Sequence, residues 1–189
     1  MGRIYETYVK RALDVALSGC ALAALSPVMG VTALLVRCKL GSPVIFHQDR
    51  PGKDEQIFRL YKFRTMTDER GADGELLPDA VRLTKFGKFL RATSLDELPE
   101  LFNILKGDMA IVGPRPALWN QYDLIEERDK YGANDILPGL TGWAQINGRD
   151  ELEIPVKAKL DGDYVAKMSF GMDLRCILGT VVSVARQDG

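Results

Sequence analysis

The sequence has few of the side chains that most often carry nucleophilic or metal chemistry. It contains one histidine, His47, so a Ser-His-Asp or Cys-His mechanism would depend on that residue alone. The three cysteines, Cys20, Cys38 and Cys176, are odd in number and lack zinc-site spacing, which argues against a disulfide framework and a zinc centre. The sequence also lacks the Walker, Rossmann, HExxH and GxSxG motifs, so the common nucleotide-binding and hydrolase classes are not indicated.

The chain also lacks an excess of charge of either sign. Lysine and arginine number 25 and aspartate and glutamate 26, which gives a formal net charge of −1. A domain that binds nucleic acid is usually strongly basic, so we expect no nucleic-acid partner. The 189 residues, 46% of them hydrophobic, suffice for one compact domain that faces a reducing compartment such as the cytoplasm.

One long segment, residues 15–36, has no formal charge and predicts a membrane anchor. Pro27, after Ser26, lies at its centre, and a proline inside a helix removes one hydrogen bond and kinks or breaks the helix. Basic residues flank both ends, which places both ends on the cytoplasmic side. These features favour a re-entrant hairpin that turns at Ser26-Pro27, with a kinked membrane span or a buried helix as alternatives. We expect no cleavage at Cys20, because the apolar run continues well past it.

The remaining residues, 41–189, predict a small soluble domain on an anchor formed by residues 1–40. Strands are predicted at 43–48 and 56–64, with a turn at 49–52, and a polar loop at 68–78. Residues 81–91 form a basic amphipathic segment, which is typical either of a membrane-surface helix or of an ordinary surface helix. Helices are predicted at 95–106, 119–131 and 172–186, a short apolar segment at 110–112 and a glycine-rich loop at 138–149. The fold class is therefore α/β, mainly α, with a short β-hairpin and amphipathic interfacial helices.

Adjacent carboxylates at Asp96 and Glu97 are the strongest catalytic candidates. Ser94 and Glu97 also fit a capping box, a purely structural role, whereas Pro99 would suit a helix whose cap is Asp96. In either case Asp96 lies near a helix start that favours anions, close to the basic residues that precede it. A carboxylate nucleophile among cations is what covalent phosphoryl transfer through aspartate requires.

Two further motifs have both a functional and a structural interpretation. In Gly113-Pro114-Arg115-Pro116 the two prolines restrict the backbone beside Arg115, whose guanidinium suits phosphate, but the motif also fits a structural turn. Asp161-Gly162-Asp163 is similar to the D-x-D metal motif of glycosyltransferases, although a turn with solvated acids is the more ordinary interpretation.

Seven motifs in order resemble the bacterial sugar transferase family, the monotopic polyprenyl-phosphate phosphoglycosyl transferases. They cover nearly the whole chain: Lys10-Arg11-Ala12-Leu13-Asp14 with Ser26-Pro27, Phe46-x-Gln48-x-Arg50-x-Gly52, Tyr61 to Met66, Arg91 to Leu98, Leu101 to Met109, Gly113 to Pro116, and Pro138 to Arg149. The resemblance implies transfer of a sugar 1-phosphate from a UDP-sugar to a membrane polyprenyl phosphate such as undecaprenyl phosphate, with release of UMP. It also implies a re-entrant hairpin, in agreement with the flanking charges.

The resemblance assigns the site residue by residue. Asp96 would attack the β-phosphorus and form an aspartyl-phosphosugar, and Glu97 would help to hold Mg²⁺ or handle the acceptor's proton. The residues expected to bind substrate are Lys62, Arg64, Arg91, Arg115, Pro116, Gln145, Arg149, Asp161 and Asp173, with the last two of less certain role. The expected location is the cytoplasmic face of the bacterial inner membrane, in contact with lipid, with a homodimer possible.

Two rival functions remain open at this stage. A metal-dependent glycosyltransferase would use Asp161 and Asp163, move the sugar alone and release UDP. A non-catalytic membrane-bound interaction module would use the segment around Asp96 as a helix cap only.

Overall fold

In the computed structural model, which describes residues 5–148 and 152–186, a long helix lies along a compact domain. A π-helical segment, Tyr5–Lys10, leads into α1, Arg11–Leu40. A helix of this length extends about 45 Å. Gly41 follows with a φ of 88°, a conformation that suits glycine and ends the helix.

The predicted hairpin turn at Ser26-Pro27 is not confirmed, because α1 remains helical through Pro27. Pro27 has no N–H to donate to the carbonyl of Ala23, four residues earlier. The hydroxyl of Ser26 donates to that same carbonyl oxygen at 2.9 Å. The serine therefore replaces the hydrogen bond that the proline removes, which allows the helix to continue.

One side of α1 packs against the domain and the rest of its surface is exposed and apolar. The buried residues are Asp14, Ser18, Thr32, Val36 and Leu40. Large exposed hydrophobic residues occupy other positions: Val15, Leu17, Val28, Val31, Leu34 and Leu35. The helix is long and apolar enough to cross a membrane, and only 11% of its most apolar stretch is buried, so it is not the buried helix of a soluble core.

The predicted β-hairpin is present with a shifted turn. Strand β1, Ile45–Pro51, pairs antiparallel with β2, Ile57–Phe63, and Ile45 lies opposite Phe63. The turn predicted at 49–52 instead follows Pro51, where Asp54 and Glu55 adopt positive φ. Arg50 remains in the strand opposite Phe58, and its guanidinium also reaches the carbonyl of Pro116, a contact that the local sequence does not reveal.

Short helices follow the hairpin and complete the first half of the domain. They are α2, Asp79–Arg82, and α3, Lys85–Ala92, then a 3-10 turn, Leu95–Glu97, and α4, Glu100–Lys106. The side chain of Thr84 caps α3 by accepting a hydrogen bond from the Gly87 amide. The predicted helix at 95–106 is thus a 3-10 turn followed by an α-helix, and Gly107, with a φ of 104°, ends it as expected.

The second half contains a parallel strand pair that the sequence did not predict. Strand β3, Ala110–Val112, pairs with β4, Gly139–Thr141, inside the predicted glycine-rich loop. The remaining helices are α5, Tyr122–Asp129, α6, Trp143–Ile146, α7, Ile154–Lys167, and α8, Phe170–Arg186. Tyr164 and Cys176 of α7 and α8 pack with Val112 in the core of this half.

Two further apolar clusters join α1 to the rest of the molecule. Towards its end, Val36 and Leu40 pack with Phe63 of β2 and Leu90 of α3. Towards its beginning, Ala21, Leu22 and Leu25 pack against a cluster formed by Leu60, Leu101, Ile104 and Met109. The helix that carries the apolar surface and the domain that carries the charged residues are therefore packed together.

Candidate active site

Three segments bring charged side chains together at one place in the domain. They are the end of β2 with Lys62, the 3-10 turn with Asp96 and Glu97, and the loop after β3 with Arg115. The residue before the 3-10 turn, Ser94, has a φ of 54° and makes no side-chain capping bond, so the predicted capping box does not form. A non-glycine residue in this left-handed conformation is strained, and such strain concentrates at functional sites.

Glu97 is held by two cations from different segments. Lys62 Nζ and Arg115 Nη2 each lie 2.7 Å from the same carboxylate oxygen, Oε1. Burial favours the neutral acid, but attraction by Arg115 and Lys62 outweighs it and lowers the pKa of Glu97 well below its usual range. Glu97 is therefore ionised at neutral pH, and its position is fixed by both β2 and the loop after β3.

Asp96 has a contrasting environment. It is buried, and no side chain of the described residues donates a hydrogen bond to it. Burial and then repulsion by Glu97 raise the pKa of Asp96 to about 6, although Lys62 and Arg91 attract its ionised form. An ionised carboxylate with little hydrogen bonding is a better nucleophile than one held by strong donors.

A third carboxylate, Glu100, was missed by the sequence analysis. It is 2% exposed, and its Oε1 lies 3.1 Å from Lys62 Nζ, so Lys62 lies between Glu97 and Glu100. Burial raises the pKa of Glu100 to about 7, and the attraction of Lys62 opposes the rise. The available signal was its spacing, because residues three apart on a helical run lie on the same face.

The other predicted basic residues have different environments. Arg91 is exposed at the end of α3, and its Nε donates to Thr65 Oγ1 at 3.1 Å. Arg64 is buried and engaged internally, because it donates to the carbonyls of Ser42 and Met66 and pairs with Asp68. Electrostatic attraction thus links Arg91 to Asp96, whereas the described contacts of Arg64 support the chain around it.

Pro116 and Gln145 lie on the two loops that meet beside β3 and β4. The carbonyl of Pro116 accepts a hydrogen bond of 3.2 Å from Arg50. Gln145 Nε2 donates to the carbonyl of Leu140 at 3.1 Å, while its Oε1 is buried without a hydrogen-bond partner among the described residues. Arg149 lies outside the described residues.

Asp161 and Asp173 make internal contacts. Asp161 is 1% exposed on α7 and pairs with Arg128, so the predicted turn of solvated acids at 161–163 is wrong. Asp173 accepts hydrogen bonds from Tyr164 at 2.6 Å and from Lys10 at 2.8 Å. The pairings of Asp161 with Arg128 and of Asp173 with Lys10 join residues 33 and 163 positions apart, which local patterns cannot predict.

Three glycines allow the loops of the site to approach each other. Gly113 donates its N–H to Thr141 O at 2.8 Å, and Gly139 donates to Pro114 O at 2.9 Å. A Cβ on Gly142 would lie 2.1 Å from the carbonyl oxygen of Gly113. The motif that precedes Arg115 is therefore held by direct backbone contact with the loop that carries Gln145.

Comparison with known proteins shows the family of the chain. A sequence model of the bacterial sugar transferase family matches residues 5–187, almost the entire chain. The chain belongs to the bacterial sugar transferase family. Like the other members, it is a transferase, and the cluster around Asp96 is the candidate centre of that activity.

Several members of the family resemble the chain closely. An uncharacterized sugar transferase, EpsL of Bacillus subtilis, is 47% identical over 96% of this chain and 89% of its own length. The UDP-glucose:undecaprenyl-phosphate glucose-1-phosphate transferase of Escherichia coli is 39% identical, and the alignment covers 92% of this chain and 39% of the relative. The UDP-N-acetylgalactosamine-undecaprenyl-phosphate N-acetylgalactosaminephosphotransferase of Aeromonas hydrophila is 34% identical over 94% and 44%, respectively. The chain thus spans less than half the length of these last two relatives.

The carboxylates fit the Mg²⁺ that the resemblance to this family implies, provided that substrate completes the coordination. No group of three or more ligating side chains occurs among residues 5–148 and 152–186. Mg²⁺ is commonly bound by one or two carboxylates together with substrate phosphates, and Asp96 and Glu97 provide two adjacent carboxylates.

The close contact between β3 and β4 predicts a strong effect of Gly139→Ala. The new Cβ would lie 2.1 Å from Gly113 N, so the strands would have to separate. We expect a loss of at least about 2 kcal/mol in the free energy of unfolding, as for other overpacked sites, measured by denaturant unfolding in detergent.

Gly30→Ala is the matched control for this substitution. Gly30 lies in α1, where a Cβ would meet nothing within 4 Å, and alanine favours helix over glycine by about 1 kcal/mol. We expect no loss of stability there. Equal stability of Gly139→Ala and wild type would contradict the tight contact between the strands.

Proposed function

We propose that the protein transfers a sugar 1-phosphate from a UDP-sugar to undecaprenyl phosphate and releases UMP. The observation that carries the proposal is the contrast between two adjacent carboxylates. Asp96 is buried and accepts no hydrogen bond from a side chain in the described part of the chain, whereas Glu97 is fixed by Lys62 and Arg115. The names of the Escherichia coli and Aeromonas hydrophila relatives, which describe such transfers, support it.

In the first step a carboxylate oxygen of Asp96 attacks the β-phosphorus of the UDP-sugar. The bond from that phosphorus to the oxygen bridging the two phosphates breaks, and UMP leaves with the bonding electrons. Arg115 and Lys62 supply positive charge beside the phosphates as negative charge develops on the leaving group. The sugar 1-phosphate remains bound to Asp96 as an acyl phosphate.

In the second step an oxygen of the lipid phosphate attacks the same phosphorus. The bond between phosphorus and the Asp96 oxygen breaks, which restores the free carboxylate and gives a lipid-diphosphate-linked sugar. Glu97 and Asp96 are the residues that would hold Mg²⁺, whose charge would stabilise UMP as it leaves. Because the pKa of Glu97 is lowered, this carboxylate is better suited to holding the metal ion than to accepting a proton from the acceptor phosphate.

The apolar surface of α1 gives this reaction its location. The lipid acceptor lies in the membrane and the donor is soluble, so the reactants meet at the membrane surface. We propose that α1 anchors residues 41–189 at the cytoplasmic face of the bacterial inner membrane. The packing of α1 against β2 and α4 would then hold Lys62 and Asp96 at a fixed position relative to the lipid.

The nucleotide that is released tests the proposal. Purified protein is given Mg²⁺, undecaprenyl phosphate and a panel of UDP-sugars, and UMP and UDP are measured separately. UMP release beyond one equivalent of enzyme that requires both the lipid and one particular sugar supports the proposal and identifies that sugar. UDP would favour the rival glycosyltransferase, which the pairing of Asp161 with Arg128 does not support.

Turnover should rise with pH through about 6, because the pKa of Asp96 is raised to about 6 and only the ionised form attacks. The rate of UMP release in a single turnover, measured from pH 5 to 8, should be half-maximal near that value. Glu100→Gln is the control, since the pKa of Glu100 is also raised, to about 7. A pH response that disappears in this variant would assign it to Glu100 and contradict the prediction.

A further inference from the structure

Arg128 of α5 is an arginine that the proposed reaction does not use, and its Nε and Nη1 donate hydrogen bonds while Nη2 makes only an ion-pair contact. Nε and Nη2 lie 2.8 and 2.6 Å from Asp161 Oδ2, and Nη1 donates to the backbone carbonyl of Arg115 at 2.9 Å. Both side chains of the pair are almost fully buried, at 3% and 2% exposure. The contact with Arg115 connects this buried pair directly to the loop of the active site.

Arg115 is held both through its side chain and through its backbone carbonyl. Its side chain is one-third exposed, and its Nη2 lies 2.7 Å from Glu97 Oε1. Its carbonyl belongs to the peptide that joins it to Pro116, so a hydrogen bond to that oxygen fixes the orientation of the peptide plane. Arg128 therefore holds the backbone of the residue whose side chain holds Glu97.

The surroundings of the pair are rigid. Ala117 and Leu124 pack with Ala158 of α7 in a buried cluster around these elements. A Cβ on Gly162 would lie 2.5 Å from the Cβ of Tyr131, so glycine at this position lets the end of α5 approach α7 closely. Asp161, the residue before Gly162, is thereby placed against Arg128.

Stability alone does not explain a buried ion pair at this position. Removing two charges from water costs about as much as their attraction returns, and an apolar pair of similar volume often stabilises a fold equally well. An apolar pair, however, could not donate a hydrogen bond to Arg115 O. The arrangement is therefore explained by the position it imposes on the loop.

We propose that Arg128, fixed by Asp161, is a positioning residue that sets Arg115 against Glu97. The expected effect on UMP release rests on the proposed function. The expected effect on the position of Arg115 rests on the contacts alone. It gives Asp161 a role that differs from the substrate binding expected from the sequence.

Arg128→Lys tests the proposal, because a single ammonium cannot reach both Asp161 and the Arg115 carbonyl in the geometry of a guanidinium. We expect kcat/KM for UMP release to fall about 10- to 100-fold, the effect of a misplacement of about 1 Å. In an Arg115→Lys background the same substitution should have almost no further effect, since it acts through Arg115. Equal fold-changes in the two backgrounds would overturn the proposal.

Arg64→Lys is the matched control for this cycle. Arg64 is also a buried arginine that holds backbone carbonyls and an aspartate, but its described contacts are with Ser42, Met66 and Asp68. The fold-change in turnover caused by Arg64→Lys should be the same whether position 115 is arginine or lysine. If Arg64→Lys were coupled to Arg115→Lys as strongly as Arg128→Lys is, the effect would reflect general loosening of the fold. That result would overturn the assignment to Arg128.

A second readout does not depend on turnover. Arginine-specific modification by phenylglyoxal, located by mass spectrometry, reports how firmly Arg115 is held, because its side chain is partly exposed. We expect severalfold faster modification of Arg115 in Arg128→Lys, and no change in Arg64→Lys. An unchanged rate would overturn the proposal, whereas a changed rate in a protein that releases no UMP would mean that only the proposed function fails.

Loss of folding is controlled by the double substitution Arg128→Met with Asp161→Leu. This pair leaves no unpaired buried charge but removes the donor to Arg115. We expect a folded protein with the same kinetic loss and the same faster modification of Arg115. Wild-type kinetics in this variant would mean that the pair has a structural role only.

Discussion

Asp96→Asn is expected to abolish turnover in a protein that remains folded. Asparagine keeps the shape of the side chain but cannot form the acyl phosphate, so we expect UMP release to fall at least about 1,000-fold, as when other covalent nucleophiles are removed. The control is Asp163→Asn. Asp163 lies on α7 and would be required by the rival glycosyltransferase mechanism, so this variant should retain wild-type turnover. Wild-type activity in Asp96→Asn would exclude Asp96 as the nucleophile.

The same substitution should also change stability with a definite dependence on pH. The pKa of about 6 in the folded protein exceeds that of an exposed aspartate, so the folded state binds this proton more tightly than the unfolded state does. The contribution of the protonated Asp96 carboxyl to the free energy of unfolding is therefore lost as the pH rises from about 4 to above 6. Asparagine does not ionise, so Asp96→Asn should be more stable than wild type by about 1 to 3 kcal/mol at pH 8.

Thermal unfolding at pH 4 and pH 8 measures this difference. The advantage of the variant should be large at pH 8 and small at pH 4, where the wild-type carboxyl is protonated. A constant difference at the two pH values would mean that the carboxyl of Asp96 is not destabilised by burial. Incubation of wild type with the donor and no lipid should in addition leave a sugar phosphate on the peptide that contains Asp96.

The sequence was sufficient for features that depend on neighbouring residues. Asp96 and Glu97 are adjacent, so their proximity needs no tertiary information, and Gly107 ends α4 because glycine adopts positive φ readily. The β-hairpin was predicted from alternation in two strands close together in the chain. Its turn was misplaced because Arg50 remains in the strand, where it also contacts Pro116, which is distant in sequence.

The features that were missed depend on contacts between distant segments. The local sequence predicts a turn at Asp161, whereas its partner Arg128 lies on another helix and buries it. Strands β3 and β4 have three residues each, too few for a periodic signal, and pair across residues 113–138. The hairpin turn predicted at Pro27 is not confirmed, because the hydrogen bond from Ser26 to Ala23 allows the helix to continue.

Lys62→Met should cost both stability and turnover, because Lys62 is the shared partner of two carboxylates, the half-buried Glu97 and the buried Glu100. It lies 2.7 Å from Glu97 and 3.1 Å from Glu100, which is 2% exposed. Removing one partner of a buried ion pair leaves an uncompensated charge, which typically costs about 3 to 5 kcal/mol of unfolding free energy. Loss of a cation beside Asp96 should also lower UMP release about 100-fold. By contrast, Lys106→Met, which breaks a pair of 3.0 Å with Asp108 at the surface, should leave the stability almost unchanged.

The double variant Lys62→Met with Glu100→Gln separates the two losses. Glu97 still has Arg115 as its partner, and glutamine at position 100 needs no counter-charge, so most of the unfolding free energy should return. Turnover should remain low, because the missing cation also stabilises ionised Asp96 and the phosphates of the donor. Recovery of turnover together with stability would reduce Lys62 to a structural counter-ion. Recovery of neither would mean that Glu100 is not the charge that Lys62 compensates.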